Sequence, residues 1–83
     1  MAASQGDIRG WIARARSEGA THMIVVCDSF DHDDYPVLVK PGEDAREVAS
    51  RYDGKNMQCI MEVYSMALDT EGQLQERRAF HYE

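Results

Sequence analysis

Apolar residues near the start of the chain recur at helical spacing. Ile8, Trp11, Ile12 and Ala15 stand at i, i+3, i+4 and i+7, so a helix over residues 4–18 would carry them on one face. Ser4 and Asp7 have the spacing of a capping box, in which each side chain meets a free backbone N–H of the first turn. Gly19 is placed to turn the chain off in the left-handed conformation. Gly10 costs a helix interior about 1 kcal/mol relative to Ala, which suggests close packing against a sheet.

The pattern then changes. Met23 to Cys27 is a continuous apolar run rich in β-branched residues, and it predicts a strand over 21–29 covered on both faces. A second strand over 35–40 places Val37 and Val39 on one face and Leu38 on the other. Pro36 cannot donate to a ladder, which assigns this strand to a sheet edge. The short connection through Phe30, Asp31, His32, Asp33 and Asp34 suits an antiparallel hairpin. Pro41, Gly42, Glu43 and Asp44 open a second helix with a buried stripe of Ala45, Val48, Ala49 and Tyr52, and Gly54 closes it.

Residues 57–68 fit two templates. Met57, Ile60, Met61, Tyr64 and Leu68 have helical spacing, whereas Met57, Cys59, Met61 and Val63 alternate as in a strand. The helix is favoured because Asn56 is a fair N-cap and Met, Gln and Glu are good helix formers. Beyond a break at 69–72, Leu74, Phe80 and Tyr82 imply a C-terminal element that docks on the body. The expectation is one domain, residues 1–83, of small single-layer α+β class. Its order is α-β-β-α-α plus the C-terminal element, with an antiparallel β-hairpin packed on helices. The first strand then lacks a neighbour, to be supplied by the C-terminus or by a second chain, which is the reason to expect a homodimer.

Composition narrows the classes. With 43% hydrophobic and 29% charged residues the chain is neither disordered nor collagen-like. No apolar run approaches the roughly twenty residues of a membrane span. No signal peptide is legible at the start, so the expected location is cytoplasmic. The net charge of −6 is unevenly placed. Glu18, Asp28, Asp31, Asp33 and Asp34 fall between Ser17 and Val39 with no Lys or Arg among them, while the rest of the chain is nearly balanced. That imbalance argues against direct nucleic-acid binding, which needs cations to displace phosphate counterions. It suits a basic protein partner.

The loop from Asp28 to Tyr35 is the densest polar cluster. Asp28, Phe30, Asp31, His32, Asp33, Asp34 and Tyr35 form a candidate partner-binding surface, with aromatics bracketing carboxylates. Alternatively the same acidic loop binds a small ligand or a divalent metal, with Asp28, Asp31, His32 and Asp33 as ligands, although Tyr35 stands where a calcium loop needs an oxygen donor and no loop glycine follows. The plainer reading is a solvated hairpin tip with both rings folded over the core. Cys27 and Cys59, each in an apolar run, read as small buried hydrophobes; a single bridge or a redox role is the alternative. A catalytic Cys27 would need a base that no sequence feature positions, and no phosphate loop, dinucleotide fingerprint or nucleophile elbow is present. The expectation is a non-enzyme without cofactor. Arg9 and Arg16 share a helix face, with Arg14 to one side, as a solvated stripe or a match for the acidic hairpin of another copy.

The runs Thr21 to Val37, Lys40 to Asp44, Gly54 to Gln58 and Met61 to Tyr64 resemble a group of small uncharacterised bacterial and phage or prophage proteins. The resemblance brings no catalytic motif. It implies a small protein that binds a host component.

Overall fold

The computed structural model describes residues 4–30, 33–54, 57–76 and 78–82. The elements are α1 (Gln5–Ser17), β1 (His22–Asp28), β2 (Asp33–Val39), α2 (Ala45–Ser50), β3 (Gln58–Ser65) and α3 (Thr70–Leu74). The strands form one antiparallel sheet in the order β2-β1-β3. The α+β class is as the pattern predicted.

Successive side chains of a strand point to opposite faces, and β1 is buried on both. Met23 and Val25 pack beneath Ile8, Ile12 and Ala15 of α1, with Tyr64, Leu74 and Ala79 completing that core. Ile24 and Val26 face Ala45, Val48 and Ala49 of α2, together with Val39, Ile60 and Val63. The single sheet is therefore the middle of three layers, with α1 and α3 on one side and α2 on the other. Such coverage explains why the β1 sequence is continuously apolar rather than alternating.

The local signals at the first helix act as their chemistry requires. Ser4 Oγ accepts from Asp7 N while Asp7 Oδ2 accepts from Ser4 N, both at 3.1 Å. Gly19 turns the chain at φ 74°. Gly10 departs from expectation: it is exposed, and a Cβ there would meet nothing within 4 Å, so close packing is not its role. β2 is an edge strand, as Pro36 requires, with Pro36 opposite Val25.

Residues 57–68 are the main correction. Within them Gln58–Ser65 form β3 and not a helix, and β3 is the missing neighbour of β1. The register slips by one between Val25 and Val26, pairing Val25 with Glu62 but Val26 with Ile60, so Met61 is the extra residue of a β-bulge. The bulge reverses the side-chain parity of the strand. Ile60 and Val63 thus reach the α2 side, while Met61 and Tyr64 reach the α1 side. Pairs spaced by three residues are what the helical template detected. With β1 flanked on both sides within the chain, the argument for a second copy as the source of a strand is removed.

The C-terminal segment docks, but against β3 and not β1. Val63 N donates to Ala79 O at 2.8 Å and His81 N to Val63 O at 2.9 Å, making a parallel bridge between Val63 and Phe80. Among the described residues, no helix is long and apolar enough to cross a membrane.

Candidate functional site at the hairpin end of the sheet

One end of the sheet gathers most of the residues singled out by sequence. There β1 runs into the hairpin and β3 emerges from the α2 connection, so Asp33, Asp28 and Gln58 form one row across the three strands. Ser29 fastens the two connections together: its N and Oγ both donate to Met57 O, at 2.8 and 2.6 Å. Asp28 Oδ1 accepts from Phe30 N at 2.9 Å, closing an Asx-type turn. Asp31 and His32 lie outside the described residues.

The two bracketing aromatics behave differently. Tyr35 folds inward on the α2 side, its hydroxyl accepting from Gln58 Nε2 and its ring meeting Tyr52 edge-on at 6.5 Å between centroids. Burial, followed by the nearby Tyr52 and Asp28, raises the Tyr35 pKa above its ordinary value. Phe30 instead stands 72% exposed at the tip. At the same end Met57, an apolar position of both the helical and the strand template, is 58% exposed. Met57 also holds φ at 62°, a conformation that L side chains avoid at a cost of about 1–2 kcal/mol. Its site value was not legible in sequence, because neither its exposure nor its backbone angle follows from residue type.

On the α1 side of the same end, Asp34, Cys27 and Cys59 form a second row. The cysteines are not both core residues, as had been expected: Cys27 is half-buried and Cys59 exposed. They follow the apolar residues of β1 and β3 on that face at the hairpin end of the sheet. Cys27 stands directly opposite Asp34 on one side and Cys59 on the other. His22 occupies the opposite end of β1, and His81 pairs with Glu76 at 2.6 Å.

The metal alternative rested in part on Asp31 and His32. Among the described residues, no group of three or more His, Cys, Asp and Glu could hold a metal ion. The helix arginines are engaged within the chain. Arg9 binds Glu71 at 2.7 Å, Arg14 pairs with Glu18, and Arg16 donates to Met66 O and Leu68 O at 2.8 Å and to Thr70 Oγ1. Arg16 thus holds the β3–α3 turn, a role that a surface-stripe reading misses.

A cleft of about 250 Å³ lies at the far end of β3, lined by Arg46, Leu68, Phe80 and Tyr82 among others. Its walls are built by cation–π stacking of Arg46 on Tyr82, 4.7 Å from the ring centroid. The volume falls below the range of about 300–1,000 Å³ usual for small-molecule pockets. No protein-family model matches the chain, and no curated protein or solved structure matches it.

Proposed function

We propose that the protein is a small, acidic, non-catalytic interaction module that engages a basic protein partner through the hairpin end of its sheet. The observation that carries this reading is the pair of large apolar side chains projecting there, Phe30 and Met57, beside the carboxylates of Asp28, Asp33 and Asp34. Exposed large apolar groups are the informative exceptions on a small surface, and aromatic anchors dominate contact energies. Met57 strengthens the reading, because a strained backbone angle at an exposed side chain points to a use for that side chain. The carboxylates would steer a cationic surface and favour the correct approach.

The test is comparative affinity capture from a lysate. The baits are the wild type, Phe30→Ala, and a double variant carrying Asp31→Asn and Asp33→Asn. Loss of a hot-spot anchor should reduce recovery of the specific partner by about 10-fold or more. The double variant should recover less partner at low salt and show a shallower decline as salt rises. Equal recovery by all three proteins overturns the proposal.

A further inference from the structure

Register, not proximity in sequence, brings the two cysteines together. Had the pairing of Val25 with Glu62 continued unbroken, Ile60 would stand opposite Cys27 and Cys59 would point to the other face of the sheet. The extra residue Met61 shifts the ladder by one, so Cys27 faces Cys59 directly. Opposed residues of an antiparallel pair have Cα atoms about 4.5–5.5 Å apart, within the roughly 4.4–6.8 Å that a disulfide spans. As directly opposed residues the two side chains lie on the same face of the sheet, and Cys59 is open to solvent.

We propose that Cys27 and Cys59 are a thiol–disulfide exchange site that closes reversibly into a cross-strand disulfide on reaction with a small-molecule disulfide of the glutathione type. The exposed Cys59 loses its proton and attacks one sulfur of the oxidant. A mixed disulfide forms, the oxidant's S–S bond breaks, and one glutathione departs, taking up a proton. Cys27 then loses its proton and attacks Cys59 Sγ, breaking the mixed disulfide and releasing the second glutathione as its thiol. Two protein thiols become one disulfide, and two electrons pass to the oxidant, which ends as two thiols.

The order of events follows from exposure and acidity. Burial first, and then the bond to Asp34, pushes the Cys27 thiol up to about 11, so it stays protonated at neutral pH and resolves rather than initiates. The closed form ties β1 to β3 and encloses β2 and α2 in a covalent loop. This proposal stands apart from the partner surface and needs no partner.

The folded wild type is incubated with oxidised glutathione, quenched in acid and weighed by mass spectrometry. The expected product is a monomer about 2 Da lighter with no alkylatable thiol, restored by dithiothreitol. Cys27→Ser should stop at the mixed disulfide, about 305 Da heavier, while Cys59→Ser should remain mainly a free thiol. Closure should accelerate as pH rises toward the Cys27 value. A wild type that keeps both thiols, accumulates mixed disulfides without closing, or cross-links into dimers overturns the proposal. So does a Cys59→Ser variant that takes up glutathione faster than Cys27→Ser.

Discussion

The two ends of the sheet are finished in opposite ways. Where β1 begins, the last residue of β3, Ser65, is buried, and so is Gln73 of α3 beside it. The Gln73 amide mimics a further strand residue: Oε1 accepts from Ser65 N at 2.8 Å, and Nε2 donates to Ser65 O at 2.9 Å and to Asp69 O at 3.2 Å. Arg16 occupies the carbonyls of the turn that follows. Where β1 ends, by contrast, Phe30, Met57 and Cys59 are left in solvent and one backbone angle is strained. At the first end a few well-chosen polar bonds satisfy the buried backbone of Ser65, even though Leu68 in the turn beyond it is exposed and lines the cleft. The other end is free to carry groups that add nothing to folding.

The largest effect should come from the sealed end. Gln73→Leu strands the buried Ser65 N–H, leaves Ser65 O only the donation from Leu68 N, and should cost about 1–3 kcal/mol in urea unfolding. A loss below about 1 kcal/mol would mean that the end is not closed as described. At the open end the sign should reverse: Met57→Gly relieves the positive φ and should stabilise by about 0.5–1 kcal/mol, while weakening partner capture. Phe30→Ala should change stability by no more than about 0.5 kcal/mol; a larger loss would show that the ring contributes to the core. Smallest is the exposed Arg9–Glu71 pair. The hydrogen bond from Arg9 holds Glu71 below its ordinary carboxylate range, so its contribution is present at neutral pH and lost as pH falls through the lowered folded-state value. Arg9→Gln should therefore lower Tm slightly at neutral pH, and the difference should close below about pH 4.

Much of this architecture was legible in the chain. The capping box, the two-sided apolar run of β1, Pro36 on an edge and the stripe of α2 are each set by neighbours in sequence, so local rules find them. β3 was legible only as the less favoured of two templates, because its bulge converts a period of two into spacings of three and four around Met61. A single bridge between the cysteines was an open alternative, but their opposition was not legible: the register depends on that one extra residue, whose presence only pairing with β1 reveals. In the candidate site, charge and aromatic content were readable, but the divergence of Tyr35 and Phe30 was not. Both are aromatic, and only the Gln58 and Tyr52 contacts draw one inward.

The C-terminal segment has a consequence for how copies of this protein can meet. Open strand edges are templates for pairing with another chain, and proteins blunt them with Pro, charge or cover. Here Pro36 interrupts the donors of β2. On the opposite edge, the bridge at Val63 and the donation of Arg78 to Met61 O occupy the ladder positions of β3 that a foreign strand would need. Both margins of the sheet are thereby guarded against strand-by-strand polymerisation. A chain with an unusually apolar central strand can thus tolerate high local concentration, because growth of the sheet is blocked at its two borders.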